Sequence, residues 1–242
     1  MANLTQLKML EGLDGFLLVD KPVGIAFSTV VKTVKRKFNL VKVGHGGSLD
    51  AQASGLFILL IGDANKFVGD VMGADREYTG TLKMGETTDT GDAWGRPIPL
   101  PPRLATLDDL KGDVFQVEPK FCAIRKEGTA EYEVVDTGEH QQFLAHVYRL
   151  SVEKVESVEK VESVEKVDSV EKVEMARFEL KASKGVIVRA LAQDMGATLT
   201  SLRRTKIGKF DVADAIPFDK LLATEMKDFA SVVVPLAQAL RN

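Results

Sequence analysis

The chain has 242 residues, of which 45% are hydrophobic and 28% charged, and its formal net charge is −3. That balance belongs to an ordinary globular protein able to bury one large core or two small ones. It excludes a spanning helix, because no apolar run nears roughly 18 residues, and it excludes an intrachain disulfide, because Cys122 is the only cysteine. The scattered histidines give no zinc-ligand spacing, no Walker-type phosphate loop occurs, and Met1–Leu13 lacks the basic-then-apolar order of a signal peptide. The expectation is a cytoplasmic protein in a reducing compartment, with no membrane association.

In chain order, Phe16–Val19 reads as a short buried strand ended by Lys21-Pro22. Ser28 is expected to cap a helix running to about Phe38, with Val31, Val34 and Phe38 on one face. The run Leu56-Phe57-Ile58-Leu59-Leu60-Ile61 reads as buried structure. Ala64–Met72 is expected to be helical, Glu77–Met84 alternates as a strand, and polar Gly85–Gly95 is a loop. Thr106 is expected to begin a short helix ending near Gly112. Residues 130–135, 145–155 and 175–183 read as strands, Val188–Leu199 as a helix, and Pro217 opens a last amphipathic segment. This order is irregular and lacks a βαβ alternation, so the chain is a mixed α and β protein.

Residues 151–174 are four copies of one hexapeptide, Ser-Val-Glu-Lys-Val-Glu, with Asp168 closing the third. Each copy carries a net −1, so the block holds −4 and the rest of the chain +1. Valine at every third position fits neither the strand nor the helix period. The pairs Glu156–Lys160, Glu162–Lys166 and Asp168–Lys172 support helix, whereas β-branched valine favours strand. The outer copies are expected to continue the flanking strands and the middle copies to protrude, as a tolerated insertion more than an interaction arm. Outside the repeat, basic residues cluster at Lys32, Lys35, Arg36 and Lys37, and again at Arg203, Arg204, Lys206 and Lys209. Such clusters suit either a solvated helix face or a phosphate backbone.

The segment Gly44-His45-Gly46-Gly47-Ser48-Leu49-Asp50-Ala51-Gln52-Ala53-Ser54-Gly55 carries the most chemistry. A carboxylate sits in a glycine-framed loop, where positive φ and close backbone approach are allowed, against the apolar run that follows. Taken alone, Asp50 suits a turn residue as well as a reactive group. The segment resembles the catalytic loop of TruB-type pseudouridine synthases, Gly-His-Thr-Gly-Ala-Leu-Asp-Pro-Leu-Ala-Thr-Gly, with Gly44, His45, Gly47, Leu49, Asp50, Ala53 and Gly55 in register. Gly15–Gly24, Asp75-Arg76-Glu77-Tyr78, Gly85–Ala93, Ser183-Lys184-Gly185, Arg189 and Leu202-Arg203-Arg204 resemble further motifs of that family, in the right order from Gly15 to about Leu222.

The resemblance implies an α+β pseudouridine-synthase fold, with a central mixed, mostly antiparallel sheet flanked by helices and loops. It implies a lead at 1–14, a catalytic domain at 15–222 containing the 151–174 insertion, and a short tail at 223–242. It implies an isomerase that converts the T-loop uridine of tRNA to pseudouridine without metal or redox cofactor, engaging the T-arm as a monomer. Asp50 then acts as nucleophile or assists glycosidic cleavage to a glycal. Arg189 pairs with that aspartate and keeps it ionised. Tyr78 stacks on the target base and helps remove its C5 proton. His45 fills the gap left by the flipped base, Lys21 supports the catalytic loop, Leu202 walls the uracil pocket, and Arg203 and Ile187 also lie at the substrate.

Some positions depart from the pattern. Gly46, Ala51 and Gln52 replace Thr, Pro and Leu, and Ile187 stands where most members have Tyr. The Pro-Pro-x-Tyr-Ser-Ala-x-Lys segment appears as Glu118–Arg125. These losses leave a second reading open: a weakly active or inactive RNA-binding or tRNA-folding protein of the same fold. A third reading is an interaction protein working through the repeat.

Overall fold

The apolar runs near the N-terminus become neighbouring strands in the computed structural model, which describes residues 12–101, 103–117, 121–126, 129–134, 142–159 and 172–241. In chain order the main elements are β1 (Gly15–Lys21), α1 (Phe27–Lys37), β2 (Val43–His45), β3 (Ser54–Ile61), α2 (Val68–Gly73), β4 (Arg76–Met84), β5 (Gly112–Val117), β6 (Gln142–Glu159), β7 (Lys172–Ala182), α3 (Val188–Asp194), β8 (Ala197–Ile207) and α4 (Phe218–Ala223). A 3₁₀ turn, Gly62–Phe67, precedes α2. Strands Phe121–Lys126 and Thr129–Val134 form a separate two-stranded sheet. The chain divides into two units: Met1–Arg76, Arg125–Ala130 and Arg203–Asn242 make one, and Glu77–Ile124 with Glu131–Leu202 make the other. No described helix is long and apolar enough to cross a membrane.

In the first unit β1 runs antiparallel to β3, from Gly15 opposite Ile61 to Lys21 opposite Gly55. β2 flanks β3 on its other side, and Arg203-Arg204 of β8 pair parallel with Ser54-Gly55. Seven successive residues of β3, Gly55–Ile61, are buried, which is why the run does not alternate. Phe16, Leu18, Leu56, Ile58 and Leu60 share one core with Val71 and Ile207. On the opposite face Phe57 meets Phe27 of α1, and Phe38 stacks on Phe229 at 3.8 Å. Residues after Leu222 belong to this packing. Val234–Pro235 pairs with Gly15–Phe16, and Phe229 and Ala239 are buried.

Helix α1 begins at Phe27, one residue before the expected cap. Ala26 is the N-cap and makes no side-chain bond; Thr29 and Val30 N–H donate to its carbonyl. Ser28 is therefore already helical. The entry is fixed by a distant contact, Gly24 N–H to the Ala51 carbonyl at 2.7 Å.

The second unit is a sheet in the order β8-β4-β7-β6-β5, with β6 antiparallel to both neighbours. Alternation is clear in β7, where Ala176, Phe178, Leu180 and Ala182 are buried, as expected for a sheet with one covered face. In β6 the buried set passes from Ala145 and Val147 to Leu150 across a register shift between Val147 and Arg149. A one-residue slip flips the pleat, so a bulge is needed to keep Leu150 inside.

Two expectations from the sequence fail, and one strand has no counterpart among them. Val188–Leu199 is helical only to Asp194; Gly196 takes φ +67 and the chain turns into β8. Glycine in that conformation is a usual helix end, and Thr198 and Thr200 suit a strand. Thr106 starts a turn and no helix, its N–H and hydroxyl both donating to Asp109 Oδ2. Strand β5 was not foreseen.

The repeat resolves toward strand where it is described. β6 runs into the second copy and β7 begins with the last residues of the fourth, with Val152 opposite Phe178 and Val158 opposite Val173. Lys154 pairs across the strands with Glu174. Residues 160–171, from the second copy into the fourth, lie outside the described residues. Deleting Ser157–Asp168 removes a net −2 and is expected to leave the melting temperature unchanged. A fall of more than about 4 °C on thermal denaturation would instead give those copies a share in the fold.

Candidate active site

Asp50 is half-buried in the loop between β2 and β3, and the main chain on both sides of it is pinned. Ala53 N–H donates to the Asp50 carbonyl at 3.1 Å. Lys21 is wholly buried at the end of β1; its Nζ donates to the carbonyls of Pro22 and Ile25 at 2.9 Å and of Ala51 at 3.4 Å. Burial lowers the Lys21 pKa to about 8, and the nearby Asp50 charge pulls against that shift. Lys21 thus ties the strand-end turn to the Asp50 loop.

Arg204 was read as part of a basic cluster, yet it is 2% exposed. Its Nε donates to the Leu56 carbonyl and its Nη1 to the Ser48 carbonyl, each at 2.8 Å. At Gly55, where φ is +104, a Cβ would overlap the Arg204 carbonyl. The chain can therefore close here only on glycine. Lys206 faces Asp211 at 3.5 Å and Lys209 donates to the Arg241 carbonyl. The 203–209 cluster is thus largely tied up within the protein, whereas Lys32, Lys35 and Arg36 of α1 are exposed. Arg204→Met is expected to lower unfolding stability by about 2–4 kcal/mol, because the buried Leu56 carbonyl and the part-buried Ser48 carbonyl both lose a charged donor. Urea denaturation measures it; a change below about 0.5 kcal/mol would refute the anchoring role.

Arg203 makes a two-pronged pair with Asp20, Nη1 to Oδ1 at 3.0 Å and Nη2 to Oδ2 at 2.7 Å. Asp20 carried no signal beyond its place before Lys21-Pro22. The His45 ring lies 5.2 Å from that of Phe27 and 5.9 Å from that of Phe57, and Nδ1 accepts from Gly47 N–H at 3.3 Å. That bond fixes the ring's orientation at the loop.

In the second unit Tyr78 and Leu82 point to the covered face of β4, and Leu202 is buried on β8. Arg189 lies in the first turn of α3 and is also buried. Its Nη1 donates to the Thr90 carbonyl at 2.7 Å, and its Nε lies 4.0 Å from Asp92 Oδ2. Asp92 in turn accepts from the Thr90 hydroxyl at 2.8 Å and from Trp94 N–H at 2.9 Å. Gln193, one turn along α3, donates to the Thr88 carbonyl at 2.7 Å. The polar segment after β4 is therefore a shaped turn folded around the guanidinium. Asp92 escaped sequence reasoning; its signal was the second acid in Thr-Asp-Thr-Gly-Asp.

Ile187 has an apolar side chain, but its main chain is held. Its N–H donates to Gln116 Oε1 at 2.9 Å and its carbonyl accepts from Gln116 Nε2 at 3.0 Å. Gln116 is fully buried on β5, a strand the sequence did not reveal. The clamp sets the start of α3, two residues before Arg189. Chemically, the first unit offers a carboxylate on an anchored loop beside a buried ammonium, and the second a guanidinium whose fork is fixed.

Residues 35–188 match the model of a family described as TruB family pseudouridylate synthase, N-terminal domain. The tRNA pseudouridine synthase B of Opitutus terrae is 34% identical over 241 residues, spanning 94% of this chain and 95% of its own. That of Aromatoleum aromaticum is 34% identical, spanning 92% of this chain and 72% of its own. A crystal structure of a Cbf5-Nop10-Gar1 complex contains a chain that is similar in fold, with a TM-score of 0.59 and 20% identity. The match covers 93% of this chain and 61% of that one, so this chain spans about three fifths of its length.

Proposed function

The chain belongs to the TruB family of pseudouridylate synthases, and from that premise we propose that it isomerises uridine to pseudouridine in the T-loop of tRNA. The observation that carries the reading is the anchored Asp50 loop, held by Lys21 from one side and by Arg204 from the other. In the reaction the bond from C1′ to N1 of the base breaks, the base turns, and a bond from C1′ to C5 forms. The C5 proton leaves and N1 gains one, so atoms and charge balance. Asp50 acts at the sugar, as nucleophile or by assisting cleavage to a glycal. A carboxylate on a loop whose main chain is anchored, with a buried cation nearby, has less to order when the substrate arrives, which favours either route.

Arg189 serves the same step through its guanidinium, Tyr78 takes the base face, and His45, Lys21, Ile187, Leu202 and Arg203 shape the surrounding surface. The RNA partner is the T-arm of tRNA, bound by a monomer in the cytoplasm. T-loops suit such an enzyme because their unstacked bases can be taken out and read. The test is incubation of pure protein with unmodified tRNA, followed by mass or reverse-transcription mapping. Pseudouridine at the T-loop uridine is expected; none at any uridine would end the reading.

A further inference from the structure

The turn that carries Asp92 also presents the single tryptophan of the chain. Trp94 is 63% exposed. An indole normally buries roughly 150–250 Å² of surface, and this one packs little of it. Its backbone is nonetheless fixed. Ala93 N–H donates to the Leu199 carbonyl at 3.0 Å, Trp94 N–H to Asp92 Oδ1 at 2.9 Å, and Gly95 N–H to the Asp92 carbonyl at 3.1 Å. Beyond it, Arg96 N–H donates to Asp89 Oδ1 at 2.8 Å, and Asp89 N–H to the Arg96 carbonyl at 2.9 Å. At Gly95 a Cβ would overlap the Thr90 hydroxyl and the Asp89 carboxylate, so the turn closes tightly at the next residue.

Two further features give the exposed ring a chemistry. Arg96, two residues on, is exposed and forms no ion pair among the described residues. Asp92, which receives the Trp94 N–H, is the carboxylate beside Arg189. The turn that presents the indole therefore also binds the Arg189 guanidinium. A flat aromatic face with an unengaged guanidinium nearby is what binds an unpaired RNA strand: the ring stacks on a base, and the cation meets the phosphate. A ring held on a fixed backbone loses little conformational freedom when a base lands on it.

We infer that Trp94 is a substrate-binding residue, its indole stacking on an unpaired nucleobase of the RNA while Arg96 meets the neighbouring phosphate. The inference rests on RNA being the substrate, as proposed above. It adds a contact that none of the family-like motifs supplied, since Trp94 lies just beyond Gly85–Ala93.

Because Trp94 is the only tryptophan, its emission reports on this position alone. Titration of the full chain with unmodified tRNA is expected to quench it to saturation. Trp94→Ala should raise KM for tRNA about tenfold or more while kcat stays within about twofold, the signature of a lost stack. Trp94→Phe should recover most of that loss and Trp94→Leu should not, because a leucine fills space without a π-face. An unchanged emission, an unchanged KM in Trp94→Ala, or a leucine variant as good as phenylalanine would overturn the inference. So would quenching by protein concentration alone, which would assign the ring to a contact between copies. A parent protein that makes no pseudouridine would defeat the proposed function itself; an active parent matched by Trp94→Ala defeats only the role of Trp94.

Discussion

Asp50→Asn is expected to abolish pseudouridine formation while leaving tRNA binding in place. The substitution keeps the shape of the side chain and removes its charge and nucleophilicity. The main chain of the loop has anchors besides that carboxylate. Lys21 holds the Ala51 carbonyl, Arg204 holds the Ser48 carbonyl, and Gly24 N–H also bonds to Ala51. The variant should therefore fold, and its affinity for unmodified tRNA should stay within about threefold of the parent, since a single uncharged isostere adds no new repulsion. The single-turnover rate should fall by a factor on the order of 10³ or more, as for loss of a group that acts on the reacting atoms. Filter binding and mass mapping on the same samples separate the two effects. Parent-like turnover by Asp50→Asn would remove Asp50 from the chemistry.

What sequence could reveal followed the range of the interactions involved. β1 and β3 were legible because their apolar runs are continuous and local, and the Asp50 loop was legible because glycines mark it. The first three residues of β8 read as the end of a helix, because Ala197-Thr198-Leu199 continues an apolar spacing and only Gly196 breaks it. β5 was missed because one short alternating stretch, Gly112–Val117, has little periodicity to offer. Side-chain roles failed at long separation. Arg204 looks like its neighbours in a basic string, yet it reaches Ser48, 156 residues away. Gln116 reaches Ile187 across 71 residues, and Arg203 reaches Asp20 across 183. No local pattern encodes such pairs. Charge clustering alone could not separate Arg203 and Arg204 from the exposed lysines of α1; the Asp20 pair of the one and the burial of the other do.

Arg189→Lys is expected to cost most of the activity despite conserving charge. Arg189 is 7% exposed, and its guanidinium uses two directions at once. Nη1 donates to the Thr90 carbonyl at 2.7 Å, and Nε faces Asp92 Oδ2 at 4.0 Å. An ammonium is a point charge on a flexible stem and cannot occupy both directions in one plane. Lysine at 189 can satisfy the Thr90 carbonyl or approach Asp92, and the turn from Thr88 to Trp94 loses a fixed partner either way. The turn should persist, because Gln193 still holds Thr88 and Asp92 still holds Thr90 and Trp94. Stability should therefore drop by only about 1–2 kcal/mol, the scale for one charged hydrogen bond replaced by a poorer one. The chemical step should slow by about a hundredfold or more, because a misplaced group near the reacting centre is penalised far beyond its binding energy. Single-turnover rates at saturating tRNA, read beside urea midpoints, distinguish the two. A rate within about threefold of the parent, with the stability loss as stated, would show that Arg189 shapes the turn and takes no part in the reaction.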